Sequence, residues 1–179
     1  MTDQKIRVFR LFPEELRWWS FADYGQLLAI VQRFRPRRVL EFGPGGSTLA
    51  IVEGGAEVVE TFEDDHAWLG VQDKRLHAHR SSVILRLYRH SEPLSIPEAD
   101  GERYDLAFVD GPRETLRRPV EIAYAADRSR VVVTHDATSA PVRDALLALQ
   151  ARGWAVEFIP FTRPAGDENA MGVAVAPEC

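Results

Sequence analysis

Positions 39–50 read Val39-Leu40-Glu41-Phe42-Gly43-Pro44-Gly45-Gly46-Ser47-Thr48-Leu49-Ala50. A short apolar run ends in an acid, passes at once through three glycines, and re-emerges as an apolar helical start with Ser47 and Thr48 as N-cap hydroxyls. Few local patterns restrict a chain more. A strand that turns sharply through glycines into a helix presents bare backbone N–H groups and a helix N-terminus to whatever lies above it. That geometry suits a nucleotide-like cofactor, and it equally closes an ordinary β-to-α turn.

The rest of the chain repeats the strand-then-helix theme. Upstream, a helix carries Phe21, Tyr24, Leu27, Leu28, Ile30, Val31 and Phe34 near helical spacing and stops before Pro36. Ser20 with Asp23 resembles a capping box for it. Trp18 and Trp19 precede it, as core or interface aromatics or as part of a substrate lid. Strands are predicted at 38–42, 57–62, 82–88, 104–109 and 130–134. Helices follow at 47–53, from Asp65 as N-cap, at 113–126, and at 141–152 behind Ser139. Two last strands, 154–161 and 170–176, have no helix between them, which permits an antiparallel hairpin. Five β–α units and a hairpin imply one α/β domain: a doubly wound, mostly parallel seven-stranded sheet with an antiparallel C-terminal hairpin. Residues 1–35 form an N-terminal helical segment or lid, and 36–179 the Rossmann-like core.

Composition narrows the function classes. A net charge of −5 argues against a non-specific nucleic-acid binder. The one cysteine, Cys179, excludes a disulfide framework and a thiolate metal site. No apolar run reaches the ~18 residues a membrane span needs, and residues 1–10 lack the apolar core of a signal peptide. The expectation is a cytoplasmic protein with a small-molecule partner, no nucleic acid and no membrane, and with a homodimer compatible with the sequence.

In an open parallel sheet, ligands bind beyond the carboxyl ends of the strands. Acids stand at four of the five ends, as Glu41, Glu63-Asp64-Asp65, Asp110 and Asp136. Core packing gives no reason for this, because buried carboxylates are costly. Glu63 follows the glycine turn by about 20 residues, the distance at which a carboxylate accepts both hydroxyls of an adenosine ribose. Its other reading is a helix N-terminal acid favoured by the dipole. Ser91, after the third strand, is a candidate for the adenine edge or an ordinary loop serine.

Taken together, these segments resemble the class I S-adenosylmethionine-dependent methyltransferases. Residues 39–48 are similar to the first motif of that family, Glu63-Asp64-Asp65-His66-Ala67-Trp68 to the second, and 104–112 to the fourth. Val132-Val133-Thr134-His135-Asp136 resembles the fifth-strand segment of a small-molecule O-methyltransferase subgroup. The likeness spans roughly residues 20–176. It departs from the usual pattern in the position of the third glycine. The resemblance implies S-adenosylmethionine as cofactor. Gly43, Pro44, Gly45 and Gly46 would pass under its methionine moiety, with Glu41 near the amino group and Ser47 and Thr48 lining the pocket. Glu63 would hold the ribose with Asp64 beside it, and Asp110 would face the methyl end and the acceptor.

The implied reaction is methyl transfer to a small-molecule acceptor, at a hydroxyl oxygen. A hydroxyl must lose its proton as it attacks. His135 is the candidate base, oriented by Asp110 or Asp136, or else a hydrogen-bonded strand-end histidine. No metal is assigned. A rival within the same fold lets Asp110 and Asp136, with His135, hold Mg²⁺ as in catechol-type relatives, although Ala137 stands where a third ligand is common. Arg113, Arg117 and Arg118 either meet an acidic substrate or are solvated helix charges, with Glu114–Arg118 and Arg117–Glu121 as exposed ion pairs. Two alternatives to the methyltransferase remain: an NAD-binding Rossmann oxidoreductase, and a methyltransferase-like domain that binds without catalysis.

Overall fold

The computed structural model describes residues 21–96, 99, 101–112, 114–162, 166 and 168–177. Trp18, Trp19, Ser20 and Arg113, each given a role above, lie outside the described residues, as does most of the final hairpin's turn.

Seven strands form one sheet: β1 (Arg38–Phe42), β2 (Val58–Glu63), β3 (Val83–Leu87), β4 (Tyr104–Val109), β5 (Ser129–Thr134), β6 (Ala155–Thr162) and β7 (Glu168–Val175). Their spatial order is β3-β2-β1-β4-β5-β7-β6. The first five pair in parallel, whereas β7 runs antiparallel beside β5 and β6 antiparallel beside β7. The expected hairpin is therefore present, inserted so that its second strand meets the parallel sheet. Among the described residues the α-helices are α1 (Phe21–Phe34), α2 (Gly46–Glu53), α3 (His66–Arg75), α4 (Arg118–Ala126) and α5 (Ala140–Ala151).

Alternation along each strand sorts the core into two layers. Val39, Leu106, Phe108, Val131 and Val133 face α1 and α2, whose Leu27, Ile30, Val31, Leu49 and Ile51 cover them. Leu40, Phe42, Ala107, Val109 and Val132 face the other way, under Ile122, Tyr124 and Ala125 of α4 and Val142, Leu146 and Leu149 of α5. Strands buried on both faces must be apolar throughout, which is why these runs lack a polar alternation. Asp65 caps α3 as expected, its Oδ1 accepting from the amides of Ala67 and Trp68 at 2.8 and 3.1 Å.

Two local expectations are corrected. The helix expected from Arg113 begins only at Arg118, after a 3-10 turn over Thr115–Arg117, with Pro119 setting its first turn. The N-cap of α2 is Gly45, so Ser47 and Thr48 lie inside the first turn rather than before it. Among the described residues, no helix is long and apolar enough to cross a membrane.

Candidate active site

The glycine bend is fixed from three sides. Gly43 adopts φ +86°, and its amide donates to the carbonyl of Phe62 at 3.0 Å, one residue before Glu63. The bend therefore touches the carboxyl end of β2. On the other side a Cβ at Gly43 would come within 2.7 Å of the Gly111 amide nitrogen, so the turns after β1 and β4 meet backbone to backbone. Trp68 of α3 donates its Nε1–H to the carbonyl of Pro44 at 3.0 Å and ties the bend down.

Below the bend, Glu41 is fully buried. The Ser47 hydroxyl donates to one carboxylate oxygen and the Thr48 hydroxyl to the other, both at 2.7 Å, while Thr48 Oγ1 accepts from the Gly45 amide at 3.0 Å. Burial raises the Glu41 pKa to about 7 against the lowering effect of those hydroxyls. Ser47 and Thr48 thus spend their hydroxyls on Glu41. All three side chains brace the loop from inside and are buried.

Glu63 ends β2 with its Oε1 accepting from the Asp65 amide at 2.9 Å. Burial raises its pKa to about 7, the neighbouring Asp64 adding to the shift. Asp64 pairs with Arg117 at 3.1 Å. Beyond the ends of β2 and β3 lies a crevice of about 580 Å³, lined in part by Asp64, His66, Tyr88, Arg89, His90 and Arg117. Its size is within the usual range for a small-molecule site. Ser91 is not among its lining residues: its hydroxyl donates to the Pro93 carbonyl at 2.9 Å, in its own loop. The polar groups after β3 that do line the crevice are Tyr88, Arg89 and His90. Under it, Tyr88 donates to the buried Glu121 at 3.0 Å, and His90 Nε2 is 3.3 Å from the same oxygen.

The ends of β4 and β5 form the second half of the site. Val109 is opposite Thr134 in the parallel register, so the next pair, Asp110 and His135, emerges side by side. His135 is enclosed. Its Nε2–H donates to Asp23 Oδ1 of α1 at 2.7 Å, and its Nδ1 lies 3.2 Å from an oxygen of both Asp110 and Asp136. Burial alone would lower its pKa. The three carboxylates outweigh that and hold it well above 6.5. Carboxylates facing both ring nitrogens favour the protonated ring, the form with no lone pair to take a proton from an acceptor. Of the two readings of His135, this geometry favours the strand-end histidine that organises its neighbours.

Asp136 takes φ +54°, a left-handed conformation that aspartate tolerates. Its Oδ1 accepts from Asn169 Nδ2 at 2.8 Å and its Oδ2 from Arg118 Nη1 at 3.0 Å. Burial would raise its pKa, but His135, Arg118 and Asn169 together hold it well below the usual carboxylate range. Arg118 also reaches Asp110, with Nη2 3.2 Å from Oδ1. This corrects the expectation for the arginines after β4. Arg118 is no solvated helix charge paired with Glu114; its side chain is 5% exposed and serves two site carboxylates. Arg117 pairs with Asp64 and Glu114 instead of Glu121, which is buried against Tyr88.

The pairings absent from the sequence reading are Asp23 with His135, Arg118 and Asn169 with Asp136, and Trp68 with the Pro44 carbonyl. Asp23 offered the plainest signal, an acid on the apolar face of an amphipathic helix. The capping-box expectation for Asp23 is corrected, because its carboxylate is buried on His135.

No family model matches the chain, and no curated protein matches it by sequence. Solved structures do resemble it in three dimensions. An O-methyltransferase from Bacillus cereus in complex with SAH is 17% identical, with a TM-score of 0.78 over 98% of this chain and 92% of that one. A putative O-methyltransferase from Klebsiella pneumoniae is 20% identical, with a TM-score of 0.75 over 96% and 90%. A putative caffeoyl-CoA O-methyltransferase from Staphylococcus aureus is 12% identical, with a TM-score of 0.75 over 99% and 93%. Strand order, the inserted antiparallel hairpin and these likenesses agree: the chain has the Rossmann-like fold of S-adenosylmethionine-dependent O-methyltransferases.

Proposed function

We propose that this protein is an S-adenosylmethionine-dependent methyltransferase that acts on a hydroxyl oxygen of a small-molecule acceptor. The observation that carries the reading is the meeting of the Gly43–Gly46 bend, Glu63 and Asp110 at the ends of three adjacent strands, next to an open crevice. The residues fit the cofactor. Glu63 is placed to accept ribose hydroxyls, the crevice beyond β2 and β3 to take the adenine end, and the bend to leave room for the methionine end. The antiparallel β7 beside β5 is a feature the dehydrogenase alternative does not predict.

The bound cofactor supplies an already activated methyl group, so the protein has chiefly to orient the acceptor and take its proton. Asp110 is the group placed for the proton. It is partly exposed, held through Oδ1 by Arg118 and His135, and it ends the strand beside the glycine bend. Asp136, 28% exposed, stands across from it as an acceptor-orienting carboxylate. His135 and Arg118 position both acids. Any carboxylate is a far weaker base than an alkoxide, which favours an acidic, phenol-like hydroxyl over an aliphatic alcohol.

The test is transfer of labelled methyl from S-adenosylmethionine to a panel of hydroxyl-bearing acceptors. Asp110→Asn should lower kcat by about 10²–10⁴ while leaving cofactor affinity intact. Undiminished turnover in that variant would remove Asp110 from the proton-accepting role.

A further inference from the structure

Asp110, His135 and Asp136 each offer one ligand atom, and the three atoms lie within 4.8 Å of one another. Two carboxylates and an imidazole are a reasonable donor set for a divalent ion such as Mn²⁺. Yet the two carboxylates are already bridged by a cation that belongs to the chain. Arg118 Nη2 lies 3.2 Å from Asp110 Oδ1, and Nη1 lies 3.0 Å from Asp136 Oδ2. Its Nε–H donates to the Pro112 carbonyl at 3.0 Å, which fixes the plane of the fork. A guanidinium cannot be deprotonated in a protein and presents its donors in a rigid plane. A metal ion could enter only by displacing it or by accepting a like charge at contact distance.

We propose that Arg118 is a built-in cation: its guanidinium, delivered by the first turn of α4, takes the place between Asp110 and Asp136 that a divalent ion would otherwise occupy, and makes the acceptor site independent of metal. Arg118 is thus a positioning residue, aligning both carboxylates as a bound ion would. The link to acceptor chemistry rests on the methyltransferase reading; the replacement of the ion does not. The device also implies a latent metal site, uncovered when the guanidinium is removed and the two acids are left facing one another.

The experiment is a Mn²⁺ titration of the full chain, read by calorimetry and by the loss of the free-ion paramagnetic signal. Wild type and Arg118→Lys, which retains a positive charge there, should bind no Mn²⁺ saturably at millimolar ion. Arg118→Met should bind one ion, and adding Asp136→Asn to it should abolish that binding. Stoichiometric binding to wild type that Asp136→Asn removes would overturn the proposal, as would a folded Arg118→Met that binds none. Should Arg118→Met not fold, the wild-type melting temperature decides. No shift between EDTA and 5 mM MnCl₂ supports the built-in cation, and a Mn²⁺-dependent rise lost in Asp136→Asn refutes it. These readouts use the ion alone, so they stand apart from any failure to bind S-adenosylhomocysteine, which would count against the methyltransferase reading instead.

Discussion

His135 donates a hydrogen bond from Nε2 to Asp23 Oδ1 at 2.7 Å, across 112 residues of sequence. The contact joins the face of α1 to the end of β5, and both partners are buried. On its other side the same ring meets Asp110 and Asp136, the two partly exposed acids of the proposed acceptor site. The geometry of that site therefore depends on a helix that supplies none of the described residues lining the crevice.

Removing Asp23 leaves the buried Nε2–H of His135 without its acceptor while Asp110 and Asp136 still face Nδ1, at a cost of about 1–3 kcal/mol. Asp23→Ala is expected to lose stability in that range in urea unfolding. A loss below about 1 kcal/mol would mean that solvent reaches the imidazole and that the pair is not buried as described.

The pH dependence of stability follows from the same groups. His135 has its pKa raised above 6.5, so the folded chain holds a proton that the unfolded chain releases. Its contribution is complete below 6.5 and is lost as pH rises through the folded value. Glu41 and Glu63, raised from 4.5 to about 7, act in the same sense between those limits. Asp136 is lowered, so its contribution is lost only as pH falls below 3.8. The unliganded protein should lose stability steadily from about pH 5 to pH 8 in urea titrations. His135→Gln should flatten the part above 6.5, and an unchanged slope there would show that the ring does not hold the extra proton.

Cofactor affinity should run the other way. Ribose hydroxyls donate to a carboxylate, so binding favours ionised Glu63, whose pKa in the free protein is raised to about 7 by burial. Affinity for S-adenosylhomocysteine is expected to strengthen by roughly tenfold from pH 6 to pH 8. In Glu63→Gln it should be weaker and flat with pH. Calorimetry at the two pH values decides, and a wild-type affinity that does not change would place the ribose elsewhere.

Gly43 allows no side chain. Its φ of +86° alone costs a Cβ-bearing residue about 1–2 kcal/mol, and the added carbon would come within 2.7 Å of the Gly111 backbone nitrogen. Gly43→Ala should lower the melting temperature and separate the turns after β1 and β4, with S-adenosylhomocysteine affinity falling at least tenfold. Wild-type affinity in a folded Gly43→Ala would show that the bend does not contact the cofactor.

The fold was legible because its signals are local. Apolar runs, glycine and proline stops and caps such as Asp65 mark each strand and α-helix of the described chain, and the helix-free hairpin marks the departure from a purely parallel sheet. The strand-end acids were legible for the same reason, since topology alone brings sheet ends together. What escaped was pairing. The sequence shows Arg118 opening a helix but not that the helix starts late and swings the guanidinium between Asp110 and Asp136. Asn169, from the other strand of the hairpin, reaches Asp136 only through the antiparallel insertion of β7. Ser47 and Thr48 were recognisable as helix-start hydroxyls, yet which carboxylate they serve is decided in three dimensions, by a Glu41 with no access to water.

The central claim, that the ends of β1, β2 and β4 form an adenosyl-cofactor site, is tested most directly by thermal denaturation with S-adenosylhomocysteine. At about 100 times its dissociation constant the ligand should stabilise the fold by about 2.7 kcal/mol, with no shift from NAD and a much reduced shift in Glu63→Ala. A rise in melting temperature with NAD and none with S-adenosylhomocysteine would contradict it.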